Sequence, residues 1–99
     1  MIETTVTIRR GTGAINTQSI IASGIVAQID QKSLSAQQFD GGAAPYILFD
    51  VYAWTSLMKT GDHLVDENNT SDIYTVSSPR VETFPDGHCE TEATMPIGS

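Results

Sequence analysis

Apolar residues recur at every second position along almost the whole chain, and no stretch of ten keeps a 3.6-residue period. That pattern excludes an amphipathic helix as the organising element and requires half-buried strands. In residues 2–9, Ile2, Thr4, Val6 and Ile8 fall on one face and Glu3, Thr5, Thr7 and Arg9 on the other. Residues 19–31 form a longer strand, with Ile21, Ile25, Ala27 and Ile29 set against Ile20, Ala22, Val26, Gln28 and Asp30. Gly24 inside it marks a bulge or sharp bend. Residues 46–53 place Ile47, Phe49, Val51 and Ala53 together, and residues 63–65 and 73–76 add two short strands. Asp86-Gly87 signals a hairpin, beyond which Cys89, Thr91, Ala93 and Met95 alternate with His88, Glu90, Glu92 and Thr94.

The connections are legible by the same means. Residues 11–18 read as a loop, residues 54–60 as a turn with a short 3-10 piece, and residues 66–72, all polar, as a solvated hairpin tip. Gly61-Asp62 opens the strand at residue 63. Gly61 is expected at positive φ, and Asp62 is expected to accept bonds from nearby backbone N–H groups. The expected fold is all-β: one domain over residues 1–99, a small antiparallel barrel of about six strands with a long loop after the second. Ile8, Ile25, Ile29, Phe49, Val51, Leu64 and Val76 are its expected core.

Residues 32–45 do not fit that economy. Fourteen residues without strand period exceed the two to five usual in a hairpin, and Leu34 and Phe39 are apolar residues with no evident core to enter. Lys32, Leu34, Gln37, Phe39, Asp40, Gly41 and Gly42 are therefore the expected interface loop, and Gly61 and Asp62 a structural turn.

Charge narrows the function classes. Twelve acidic residues against five basic ones give −7, all of it carried by residues 41–99. Such a balance argues against sequence-independent grip on a nucleic-acid backbone. Arg9, Arg10, Lys32 and Tyr46 are the only candidates for a nucleic-acid patch, and three acids in the first forty residues offset the three cations there. Cys89 is the sole cysteine, so no intrachain disulfide forms. The N-terminus shows no signal peptide, and no apolar run approaches the ~20 residues that span a bilayer.

His63, His88 and Cys89 are the candidate metal ligands. His88 and Cys89 are adjacent in a strand and point to opposite faces, so no metal is expected, with Cys89 buried and His88 at the surface. In residues 66–72, Asp66, Asn68 and Thr70 alternate as in a calcium loop, but Ser71 stands where the turn glycine belongs and Ser77 where the bidentate glutamate belongs. No nucleophile elbow and no phosphate-cradling loop is present. The carboxylates are expected in loops or on outward faces with ordinary pKa values. Neither catalysis nor a cofactor is expected.

The order of pieces resembles the small head-closure proteins (stoppers, or head–tail connectors) of long-tailed bacteriophages. The carrying pieces are the strand ending Ile8-Arg9-Arg10 and the strand from Gly24 to Ile29 running into a long Ser/Gln/Gly loop. The 46–53 strand, the corner Leu57-Met58-Lys59-Thr60-Gly61-Asp62 before residues 63–65, Tyr74-x-Val76 and the strand at residues 88–92 complete it. Trp54 departs from the pattern, an aromatic in a connection more usually polar. The resemblance implies a non-enzymatic virion protein of the phage neck, assembled in the host cytoplasm. It would form a homo-oligomeric ring between portal and tail that closes the DNA-filled head and docks the tail. Portal or adaptor and tail proteins would be its partners, with DNA touched at most non-specifically and no membrane. The competing class is a small β-barrel binding module, a peptide adaptor or an oligonucleotide-binding type. Retention on a heparin or DNA column separates that last type from a connector.

Overall fold

In a computed structural model, which describes residues 2–31, 46–77 and 81–96, the alternating segments become seven strands. They are β1 (Ile2–Arg10), β2 (Ser19–Gln31), β3 (Tyr46–Ala53), β4 (His63–Asp66), β5 (Ile73–Val76), β6 (Glu82–Thr83) and β7 (Cys89–Pro96). All pairings are antiparallel, in the order β3-β2-β1-β4-β5-β7-β6, and β3 also pairs with β7. That last pairing closes six strands into a barrel and leaves β6 as an extra strand. β7 meets β3 along its whole length, while its other edge is shared between β5 at Ala93 and Thr94 and β6 at Cys89 and Glu90.

Period two fills the barrel as expected. Val6, Ile8, Ala27, Ile29, Phe49, Val51, Ala53, Leu64, Val76, Cys89 and Ala93 form one buried cluster with Met58 and Tyr74. Phe49 meets Tyr74 edge to face at a centroid distance of 5.0 Å. Deleting a buried Phe ring costs ~3–5 kcal/mol through transfer and cavity terms, a large fraction of the stability of a domain this small.

β2 is where simple alternation fails. The pairing Val6↔Ile25 gives way to Ile8↔Ala22 and then Arg9↔Ile20, so β2 carries extra residues opposite β1. Gly24 takes φ +68 there, a left-handed conformation that suits a residue without Cβ. The bulge turns the chain enough that Ile21 and its neighbour Ala22 both pack against the core, although alternation assigns them to opposite faces. Ile25, expected in the core, is only half-buried, because it sits directly beside the bulge.

Two connections also differ from expectation. The 3-10 turn lies at Ile15–Thr17, between β1 and β2, and not within residues 54–60. The Arg9 guanidinium donates to the carbonyls of Ile15 (3.2 Å), which also accepts the Gln18 N–H, and of Gln18 (3.1 Å), tying the turn to β1. In the 54–60 connection a threonine shapes the chain instead, with the Leu57 N–H donating to Thr55 Oγ1 at 3.0 Å. β6 has no counterpart in the sequence reading: two exposed polar residues carry no period.

Candidate functional site

The expected interface loop, with Lys32, Leu34, Gln37, Phe39, Asp40, Gly41 and Gly42, lies outside the described residues. The expected structural turn is described in full. Gly61 has φ +92, and its N–H donates to the Val76 carbonyl at 2.8 Å. Nothing lies within 4 Å of where a Cβ would stand, so the requirement for glycine there is conformational and not spatial. Asp62 is 1% exposed. Its carboxylate accepts from Arg10 Nε and Nη2, both at 2.8 Å, and from the Lys59 N–H at 2.9 Å. Arg10 Nη2 also donates to the Leu57 carbonyl at 2.9 Å. The bidentate bond to Asp62 raises the Arg10 pKa above its ordinary value, keeping the guanidinium charged. The end of β1 is thereby tied to the connection that leads into β4.

This corner keeps Asp62 in a connection, as expected of the carboxylates, but makes it one of the most buried side chains among the described residues. It also bears on the nucleic-acid patch. Arg9 and Arg10 are engaged by carbonyls and by Asp62, while Lys32 and the Tyr46 side chain lie outside what the structure describes.

A second cluster, unforeseen as a unit, stands on the outer wall formed by β2, β3, β7 and β6. Registers place Gln28 opposite Tyr52, Tyr52 opposite Glu90, and Glu90 opposite Glu82. One step along, Trp54 joins this wall, its N–H donating to the Val26 carbonyl at 3.2 Å. The His88 ring lies between Trp54 (5.1 Å between centroids) and Phe84 (stacked at 4.7 Å). Its Nδ1 stands 2.5 Å from Asp86 Oδ1 and its Nε2 2.8 Å from Glu90 Oε2. Carboxylates only accept, so both contacts are satisfied together by the imidazolium form. Bonding to Glu90, then to Asp86, accordingly raises the His88 pKa above 6.5. The bond to His88 in turn lowers that of Asp86 below 3.8. Gln28, Tyr52, Trp54 and His88 line an open cleft of about 220 Å³.

In the other direction the wall continues as Asp30 opposite Asp50 and Asp50 opposite Glu92. β2, β3, β6 and β7 contain no lysine or arginine. The site is therefore an aromatic cleft on an acidic wall. Trp54 had stood out in the sequence as a misplaced aromatic. Its neighbours had not, because the partners of a strand face are set by register, which spacing along the chain does not reveal.

The candidate metal ligands occupy three separate settings. His63 Nδ1 meets Gln18 Oε1 at 2.8 Å, His88 is on the outer wall, and Cys89 is buried, its thiol directed at the Thr55 carbonyl. Among the described residues no group of three or more His, Cys, Asp or Glu is placed to hold a metal ion. The 66–72 turn is more than a solvated tip. Glu67 Oε2 accepts from Thr7 Oγ1 and from the Gly24 N–H, both at 2.7 Å, and Asp66 Oδ1 accepts from Thr4 Oγ1 at 2.8 Å. The Gly24 bond leads in lowering the Glu67 pKa. The bulge in β2 is held by this carboxylate 43 residues away, beyond the reach of any local signal.

A scan against protein-family models, and searches of characterised proteins and of solved structures, find no match.

Proposed function

We propose that this barrel is a structural, non-catalytic component of a long-tailed phage neck, a ring between portal and tail that closes the filled head and docks the tail. The supporting observation is the outer surface. A barrel that already buries its core still exposes Ile2, Ile20, Val26, Trp54 and Leu57. Apolar side chains left at the surface are what packing against neighbours in a ring would use. In this reading the neighbours are further copies of the chain, the portal or an adaptor, and the tail. The protein belongs to the virion and is assembled in the host cytoplasm. The −7 charge suits a channel along which DNA slides without sticking.

Deleting the gene in its phage tests the proposal. Filled heads that leak DNA and tails left unjoined, counted by electron microscopy, are expected; normal numbers of tailed, infectious particles overturn it. The aromatic cleft favours a second reading, a small peptide-binding module. A protein that stays monomeric at high concentration, with the deletion leaving particles intact, selects that reading.

A further inference from the structure

We propose that the mouth of the barrel, at the end where β1 begins and β2 finishes, binds a neutral hydroxylated ligand of the sugar class. The inference goes beyond the structural role proposed above and does not depend on it.

The cavity there measures about 420 Å³, within the roughly 300–1,000 Å³ of small-molecule sites. Phe49 and Tyr74, both buried and packed edge to face, give it an apolar side. Thr4, Asp66 and Asp72 bring polar groups to the same lining.

Tyr74 is the side chain that points to a ligand. A buried phenol O–H ordinarily has a hydrogen-bond partner. Tyr74 is 8% exposed, and its hydroxyl has no such partner among the described residues. Burial, then the charges of Asp72 and Asp66, raise its pKa above 10.0. The hydroxyl therefore stays protonated, a donor in the field of two carboxylates. Asp66 Oδ1 accepts from Thr4 Oγ1 and from the Asn68 N–H, both at 2.8 Å. Asp72 Oδ2 accepts from Asn69 Nδ2 at 3.3 Å. All three donors are neutral, and each carboxylate keeps lone pairs for a ligand.

These groups select by elimination. An anion could take the Tyr74 proton, but Asp66 and Asp72 repel it and the described lining has no Lys, Arg or His. An ammonium or guanidinium satisfies carboxylates and has no lone pair for the Tyr74 O–H. A hydroxyl does both at one atom, accepting from Tyr74 and donating to a carboxylate. A sugar sets such hydroxyls around a ring whose C–H face is apolar, and that face packs against Phe49 and Tyr74.

The test follows backbone amide resonances of the isotope-labelled chain during titration with methyl glucoside, methyl galactoside, methyl mannoside and N-acetylglucosamine. Saturable shifts at Thr4, Asp66 and Tyr74 are expected with at least one of them, at a Kd on the order of 1 mM and with little salt dependence. Tyr74→Phe keeps the ring and deletes the hydroxyl. It should weaken sugar binding ~fivefold, the equivalent of one neutral hydrogen bond, with the melting temperature unchanged or raised because no bond is lost. Parental affinity in that variant overturns the proposal. Tighter saturation of the same amides by butylammonium also overturns it, as do shifts confined to Tyr52 and Trp54 on the outer wall. No saturable shift with any of these sugars at ~50 mM overturns it too, since that is well above the ~1 mM of weak specific binding.

Discussion

Two places in this barrel set a cation between acceptors, and they do so under opposite conditions. At the corner, Arg10 grips Asp62, a carboxylate 1% exposed that is also bonded by the Lys59 backbone. On the wall, His88 lies between Asp86 and Glu90, whose side chains are 55% and 37% exposed. Arg10 itself is 37% exposed, but burial removes water as an alternative partner for the Asp62 carboxylate, so each bond to that carboxylate is needed and its loss is costly. At the wall, water can replace either carboxylate, and the arrangement changes at little cost. One cluster therefore holds the fold, and the other is left adjustable.

The largest effect that would break this contrast belongs to the corner. Arg10→Met leaves the Asp62 charge buried with only its backbone donor, and is expected to cost ~2–3 kcal/mol in denaturant unfolding. A loss below ~0.5 kcal/mol would show that the corner is no more structural than the wall. Gly61→Val comes next, at roughly 1–2 kcal/mol, because a β-branched residue is forced to φ +92 with no clash to relieve. A crystal structure of the variant keeping that φ, together with unchanged stability, would contradict it.

Glu67→Gln sharpens the contrast from between the two extremes. Glu67 is exposed, yet it holds the Gly24 bulge, so a loss under ~1 kcal/mol is expected, with faster hydrogen exchange at the Gly24 amide. Parental exchange at Gly24 would mean that the bulge holds itself. Because the Glu67 pKa is lowered, its contribution is present above the ordinary value of 4.5 and is lost as pH falls through the lowered one.

The smallest effect lies at the wall and is read from pH dependence. The raised His88 pKa means stabilisation that is complete below 6.5 and is lost as pH rises through the raised value. Asp86 works in the opposite sense, helping above 3.8 and losing its contribution as pH falls through its lowered pKa. His88→Gln should flatten the alkaline limb of the melting-temperature profile and leave the fold intact. An unchanged limb would place the titrating group elsewhere.

Much of the fold could be read in advance, for a reason that also marks where reading stops. Period two placed the ends of β2, β3 and β5 where the structure has them, and glycine chemistry placed Gly61 at positive φ with Asp62 accepting a backbone bond beside it. These are local properties, written within a few residues. Apart from the 3-10 turn, which was expected in the wrong connection, the errors on the described residues are non-local. Ile25 lost full burial to a bulge, Asp62 went inside because Arg10 reaches it from 52 positions away, and β6 exists only because β7 has a spare edge. The outer wall was unreadable for the same reason: Gln28, Tyr52 and Glu90 become neighbours only when three strands adopt one register. The loop containing Leu34 and Phe39 falls outside the described residues.

The β3–β7 pairing that closes the barrel limits how it can be approached. An open sheet offers its edge backbone to any extended peptide, which can add itself as a further strand with little regard for sequence. Here each of six strands pairs on both sides over at least part of its length, and among the described residues the strand left over, β6, is two residues long. Where β3 lies between β2 and β7, recognition on this wall passes through side chains. The wall is thus free to change partners by substitution at Trp54, Tyr52 or Glu90, while the hydrogen bonds that hold the barrel stay as they are.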